Sequence, residues 1–248
     1  MWYSLFYNML HRVFTRKKRT NKNPKYRPYS IELDTIQNQR IIGSPVGKTL
    51  MPYANKTGKL TVVLDMDETL LHSVVMVPGT DYTSCLFDVI LMTTDKQNRI
   101  GVYVRPMVHE FLRYGAEHFE MILFTASCST YAKPVMDAID PHGYIKYRFY
   151  RDSCLDVNGI ITKPIHNLGR RMERIVLVDN SELCMLSCPD NGILISDFTG
   201  DPSDDSINQL ARFLSHINSL EDVRPFLTET FGMRERLLNI DKRTSGHL

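Results

Sequence analysis

Leu60-Thr-Val-Val-Leu-Asp65-Met-Asp67-Glu-Thr69-Leu-Leu71 is the stretch that decides the fold. Leu60, Val62, Val63 and Leu64 form a short apolar run of the kind that is buried on both faces of a parallel sheet. The run stops at two carboxylates. Asp65 and Asp67 are two residues apart, so an extended chain points their side chains the same way, and Thr69 follows at the same spacing. Open α/β sheets bind ligands at the carboxyl ends of their strands, and DxDxT at such an end can hold a divalent cation while one Asp stays free to react. An isolated DxD would read as a solvated acidic turn; a buried strand directly before it argues against that.

Further along the chain other short apolar runs end in similar chemistry. Met121 to Phe124 is followed by Thr125-Ala-Ser127, a hydroxyl placed either to hold a phosphate oxygen or to cap the helix expected from Tyr131 to Ile139. A strand at 147–150 leads into a loop with Arg151 and Cys154 that turns at Asn158-Gly159. Ile160-Ile-Thr-Lys163-Pro164 presents a lysine at an expected helix start, where it neutralises phosphate charge or is an ordinary surface lysine. Arg174 to Val178 ends in Asp179-Asn180-Ser181, whose carboxylate and amide supply the remaining oxygen ligands for magnesium. Residues 192–195 read as the last strand. The fold class is therefore α/β, a Rossmann-like parallel central sheet flanked by helices.

Between the first two core strands, runs at 74–77, 86–92 and 99–104 predict a small antiparallel β insertion. Arg105-Pro106 is expected to open a helix, with Pro106 early in its first turn. The segment 203–220 reads as an amphipathic helix capped by Ser203 or an adjacent Asp.

At 248 residues and 43% hydrophobic content, the chain has the size of one α/β domain with additions. Its net charge of +2 hides an asymmetry: 12 basic against 2 acidic residues up to residue 59, and 18 against 26 beyond it. No direct binding of nucleic acid is expected. The five cysteines, at 85, 128, 154, 184 and 188, form no paired framework, which fits a reduced intracellular protein, and Cys184 and Cys188 read as packing residues. None is followed by five residues and an Arg, so the thiol-phosphatase loop is excluded. No apolar stretch reaches the roughly 18 residues of a transmembrane helix.

Three divisions follow: a basic, proline-containing tail at 1–59, a domain at 60–232 and a C-terminal tail at 233–248. In residues 1–14, Trp2, Leu5, Phe6, Met9 and Val13 recur at helical spacing ahead of Arg12 and Arg16-Lys-Lys-Arg19, an amphipathic helix suited to an anionic membrane surface. A nuclear address, or a tail packed on its own domain, are the other readings. Gly43-Ser-Pro-Val-Gly47-Lys48-Thr49 imitates a phosphate-binding loop but has three residues between its glycines where four are needed, and it includes Pro45.

Taken together, Asp65 and Asp67, Thr125, Lys163, and Asp179 with Asn180 recur at strand ends in one order. The sequence here resembles the haloacid dehalogenase superfamily and, within it, the phosphatases of the RNA polymerase II C-terminal domain, including the small and Dullard-like members. The resemblance runs from about Leu60 to Phe231 through DMDETLLHS, VYVRP, LFTAS with YAKPVMDAID, RDSC, Lys163 with LGR, VLVDNS, GDPSDD and DVRPFL. The chain departs from it at Met66, at Lys163-Pro-Ile, at Ser181-Glu182 and near Asp197-Phe198, and none of these departures removes a group needed for the chemistry.

The resemblance implies Asp65 as a nucleophile that forms an aspartyl-phosphate and Asp67 as the acid and base. It also implies Thr125 and Lys163 as stabilisers of the transferring group, and Mg2+ held by Asp65, the Asp67 carbonyl and Asn180 with Asp179 nearby. Thr69, Ser127 and Arg151 are the expected substrate contacts. The implied substrate is phosphoserine or phosphothreonine in a protein, the RNA polymerase II C-terminal domain or a Dullard-type substrate. The alternatives are a small-metabolite phosphatase of the superfamily, which needs a lid, and a non-catalytic relative like the presequence-binding one of the mitochondrial import channel, which can lose an Asp of DxDxT. The expected location is the nucleus, the nuclear envelope or endoplasmic reticulum surface, or the cytoplasm.

Overall fold

The computed structural model describes residues 51, 58–76, 87–92 and 97–245. Strand β1 (Thr61–Leu64) is buried at every position. It lies between two parallel neighbours, β5 (Glu120–Phe124) and β9 (Ile175–Asp179). Complete removal of Val62, Val63 and Leu64 from water stabilises the fold by about 1.5–3 kcal/mol for each side chain. Strand β6 (Tyr147–Phe149) extends the sheet beyond β5, and β10 (Gly192–Leu194) extends it beyond β9. The order is β10-β9-β1-β5-β6, parallel throughout.

The chain moves from β1 outward to β5 and β6, then returns to the other side of β1 for β9 and β10. Such a reversal opens a crevice at the carboxyl ends of the strands on either side of it. Register decides what faces that crevice. Leu64 is level with Leu123 and Val178, so the next residues, Asp65 just past β1 and Asp179 at the end of β9, emerge side by side. The Asp65 N–H donates to the Val178 carbonyl at 3.0 Å.

A second sheet, antiparallel in the order β2-β4-β3, is built from β2 (Leu71–Val75), β3 (Phe87–Met92) and β4 (Gln97–Val104). Its first strand starts three residues earlier than the sequence suggests, because the DxDxT turn closes within Met66 to Leu71. The Leu70 N–H donates to the Met66 carbonyl at 2.8 Å, and the Glu68 N–H to the Leu71 carbonyl at 2.7 Å. The loop expected after Arg151 contains a hairpin, β7 (Leu155–Val157) and β8 (Ile160–Thr162). Its turn puts Asn158 and Gly159 at φ 54° and 85°. Positive φ at both central residues matches the strand twist, which is why Asn-Gly suits it.

Among the described residues the helices are α1 (Val108–His118), α2 (Ser129–Ile139), α3 (Ser206–Ile217), α4 (Arg224–Phe231) and α5 (Met233–Ser245). Several boundaries differ from expectation, and long-range bonds explain them. Arg105-Pro106 does not open α1. The Arg105 N–H is drawn to the Leu70 carbonyl at 2.9 Å, and Met107 turns the chain at φ 67° before the helix begins. Cys128, not Thr125, stands at the N-cap of α2, which starts two residues ahead of Tyr131. At α3 the helix is shorter than expected and Ser203 does not cap it, since Ser203 bonds Asp201; the adjacent Asp205 stands at the N-cap, and the Ser206 N–H donates to Asp204 at 2.9 Å, a carboxylate that Arg105 also holds. Residues beyond 232 are no separate tail either. Gly232, at φ 54°, turns the chain from α4 into α5, whose Met233 and Leu237 are buried in the core.

Arg105 ties these parts together. Its side chain is buried; Nε and Nη2 fork onto the Asp204 carboxylate at 2.7 and 2.8 Å, Nη1 donates to the Thr69 carbonyl at 3.0 Å, and Nη2 also reaches Ser196 Oγ at 2.8 Å. The guanidinium lies 5.4 Å from the centre of the Phe198 ring. This bidentate pair fastens the DxDxT turn to the segment before α3. Arg105→Met leaves Asp204 without its partner, and a loss of about 3 kcal/mol is expected. Denaturant titration beside Asp204→Ala and the double variant checks it: two additive losses would show that the pair contributes no coupling.

Residues 1–50 and 52–57 are outside the described residues, and with them the expected amphipathic helix, the basic linker and the imitation phosphate loop; so are residues 77–86, which include Cys85, and 93–96. Among the described residues no helix is long and apolar enough to cross a membrane.

Candidate active site

Asp65 is the first residue past β1 and Asp179 the last of β9, and the ammonium of Lys163 sits between them. Lys163 Nζ donates to Asp65 Oδ1 at 2.5 Å and to Asp179 Oδ2 at 2.7 Å. All three residues are buried, Lys163 completely. The surface-lysine reading therefore fails, and the lysine does not stand at the start of an α-helix: β8 delivers it into the core just before the 3-10 turn Ile165–Leu168. Its backbone N–H is anchored on the Cys184 carbonyl at 2.9 Å, and its own carbonyl accepts from Ser187 Oγ at 2.9 Å.

The charges do not balance. One ammonium faces two carboxylates in a desolvated place. Burial, with Asp179 adding to it, pushes the Asp65 carboxyl up to about 7 against the pull of Lys163. For Lys163 burial works the other way, but Asp179 and Asp65 outweigh it and hold the ammonium above its ordinary range. Asp179 is saturated by its neighbours, since its other oxygen accepts from the Ser181 N–H at 2.8 Å. Its place is to hold the lysine.

The Asp65 oxygen that Lys163 does not hold, Oδ2, faces Thr69, which also faces Asn180. The Asn180 amide donates through Nδ2 to Asp197 Oδ1 at 3.0 Å, which turns its Oδ1 toward Thr69. Thr69 Oγ1 is 3.3 Å from Asp65 Oδ2 and 3.4 Å from Asn180 Oδ1. Two acceptor oxygens thus converge with one hydroxyl proton between them. Among the described residues no three His, Cys, Asp or Glu side chains gather as a metal cluster. The set present is a carboxylate oxygen and an amide oxygen that meet at the Thr69 hydroxyl. It fits Mg2+, which takes one or two carboxylates and fills its remaining positions with water and substrate phosphate.

Asp67 is half-buried and held on both oxygens. Ser127 Oγ donates to Oδ2 at 2.6 Å and the Tyr131 hydroxyl to Oδ1 at 2.6 Å, with Ser73 Oγ 2.5 Å behind the phenol. Burial and the Asp67 charge raise the Tyr131 pKa, so its phenol stays protonated and acts as a donor. Thr125 is buried past the end of β5, and its Oγ1 accepts from the Ser127 N–H at 3.0 Å. Its link to the cluster runs through Ser127. Arg151 is exposed and pinned to the same loop, its N–H on the Ser127 carbonyl and its Nη1 on the Ala126 carbonyl, both at 3.0 Å. Ser127 and Arg151, both expected to touch substrate, therefore stand on two loops, after β5 and after β6, that these bonds join.

The thiols nearby are not competing nucleophiles. Burial pushes Cys154 and Cys188 each up to about 11, and it raises Cys184 as well, so the reactive thiolate is disfavoured. All four described cysteines are free.

Sequence reasoning overlooked Tyr131, Ser73 and Arg105 as parts of this site. Tyr131 was read only as a helix start and Ser73 only as part of a motif. No local spacing links either to Asp67, which is 64 residues from the one and on the far side of a turn from the other. The signal available was a pair of hydroxyl residues in segments predicted to flank the strand ends.

Residues 60–224 match the family model described as NLI interacting factor-like phosphatase. A relative from Dictyostelium discoideum, CTD small phosphatase-like protein 2, is 36% identical over 196 residues, covering 79% of this chain and 34% of its own length. The human CTD small phosphatase-like protein is 32% identical over 200 residues, covering 80% of this chain and 68% of its own. The chain thus spans about a third of the one and about two thirds of the other. Among solved structures, that of fission yeast RNA polymerase II CTD phosphatase Fcp1-R271A bound to beryllium fluoride has a TM-score of 0.49 at 17% identity, covering 76% of this chain and 57% of that one.

Proposed function

The chain belongs to the NLI interacting factor-like phosphatases, and on that footing we propose that it is a magnesium-dependent protein serine/threonine phosphatase working through an aspartyl-phosphate on Asp65. One observation carries the reading. A buried lysine braces the first Asp of DxDxT against Asp179 while the second Asp is held apart by hydroxyl donors, which gives the two carboxylates different environments and so different tasks.

In the first step an Asp65 carboxylate oxygen bonds to phosphorus as the bond from phosphorus to the leaving oxygen breaks, and Asp67 delivers its proton to that oxygen. In the second, Asp67 takes a proton from water, whose oxygen attacks the aspartyl-phosphate; inorganic phosphate leaves and Asp65 is restored. Lys163 keeps the Asp65 carboxylate oriented and offsets charge on the transferring group, and Thr125 is placed to add a hydroxyl contact from the neighbouring strand end. Mg2+, held by Asp65, Asn180 and the Asp67 carbonyl, would neutralise the repulsion between carboxylate and phosphate dianion.

Support for a protein substrate comes from two sides. The relatives are named as small phosphatases of a C-terminal domain, one of them of RNA polymerase II. The described part of the insertion is a three-stranded sheet, compact enough to leave room for an extended peptide bearing phosphoserine or phosphothreonine.

Turnover of an aryl phosphate is expected to vanish in excess EDTA and to return with added magnesium. Full activity in EDTA rejects the cation. A panel of phosphopeptides and small phosphate esters then tests the substrate class, with higher kcat/KM expected for the peptides.

A further inference from the structure

We infer that Tyr131, with Ser73 behind it, is a positioning residue for Asp67: it fixes the carboxyl rotor so that Oδ2 is the oxygen that passes the proton to the leaving group. The inference rests on the reaction proposed above. A terminal carboxyl torsion is broad and samples many orientations unless something holds it. Here three elements converge on it. The phenol from α2 reaches Oδ1 at 2.6 Å, Ser127 from the loop after β5 reaches Oδ2 at 2.6 Å, and Ser73 from β2 lies 2.5 Å from the phenol.

The donors are set by counting protons. Tyr131 has one, and it points at Asp67, so Ser73 must be the donor to the phenol oxygen. The result is a chain Ser73 to Tyr131 to Asp67 in which each O–H polarises the next. Oδ1 then receives the single phenol proton, which the bond from Ser73 keeps aimed at it. Oδ2 receives its bond from Ser127, whose hydroxyl has no such partner behind it in this chain and can turn to accept, so Oδ2 is the oxygen at which a proton can be carried. When the phosphoester bond breaks, the O–H bond at Oδ2 breaks with it, the proton joins the leaving alkoxide, and Oδ1 stays on the phenol throughout.

General-acid help matters most where the leaving group is a poor one, because an alkoxide needs the proton far more than a nitrophenolate does. This separates positioning from mere packing. In the full chain, Tyr131→Phe removes one oxygen and leaves the ring. Its kcat/KM is expected to fall about ten- to hundredfold more on a phosphoserine peptide than on 4-nitrophenyl phosphate. Ser73→Ala, which breaks the chain one link further out, should show the same inequality more weakly.

Equal losses on the two esters, or none on either, would overturn the role. Should Tyr131→Phe fail to fold, Ser73→Ala decides alone: an unequal loss supports the role, and an equal or absent one overturns it. Failure of the underlying reaction looks different. If the unaltered chain turns over neither ester with magnesium present, the phosphatase reading falls and this role falls with it, whereas an active chain with parallel losses removes only the part given to Tyr131.

Discussion

Asp65→Asn is expected to lower turnover by roughly 10⁴-fold or more, because an amide at that position offers no anionic oxygen to phosphorus and no covalent intermediate forms. The substitution is nearly isosteric, and Asp65 is nine-tenths or more buried, so the site keeps its shape while losing its nucleophile. Removing one of two carboxylates beside Lys163 also relieves the charge excess, so the melting temperature should hold or rise. The contrast with Asp67→Asn sharpens the test. That variant keeps the nucleophile, loses both proton transfers, and is expected to fall by about 10²- to 10⁴-fold. Intact-mass measurement after rapid quenching should find a phosphate adduct on Asp67→Asn and none on Asp65→Asn. Near-normal turnover by Asp65→Asn would mean that another group attacks.

Lys163→Met should damage folding and catalysis together. The lysine has no exposure and bridges two carboxylates that are themselves buried. Without it both are left uncompensated in a desolvated place, and breaking a buried ion pair from one side costs about 3–5 kcal/mol. For a domain of this size that is a fall on the order of 10 °C in the melting temperature. A second substitution tells charge from lost packing. In Lys163→Met with Asp179→Asn one of the stranded charges is gone, so stability should recover in part while activity stays lost. If the double variant melts no higher than the single one, the lysine stabilises by filling space. The alternative open in the sequence, an ordinary surface lysine, is excluded by its burial between two carboxylates.

The Lys163 and Arg105 pairs follow from the same principle. Each concerns a charge whose partner is far away in the chain: Arg105 and Asp204 are 99 residues apart, and Lys163 and Asp65 are 98.

By itself the sequence determined the parallel core. Leu60 to Leu64, Met121 to Phe124 and Arg174 to Val178 are apolar runs that can satisfy themselves only as buried strands, and a period of two set Asp65, Asp67 and Thr69 on one side of the first of them. These are local properties, readable from neighbours in the chain. Asp179 was legible for the same reason, since it ends its strand as Asp65 follows its own. The tertiary structure alone decided which polar groups are buried and what each is bonded to. It put Lys163 in the core although lysines as a class are exposed. It drew Arg105 off the helix it was expected to open, and it gave Asp204 to Arg105. It also brought the Tyr131 phenol from a helix face to Asp67. A polar side chain can be buried only where its hydrogen bonds and charge are met, and here the groups that meet them arrive from strands and helices tens of residues away, through the register of β1 between β5 and β9. No periodicity within a single segment carries that information.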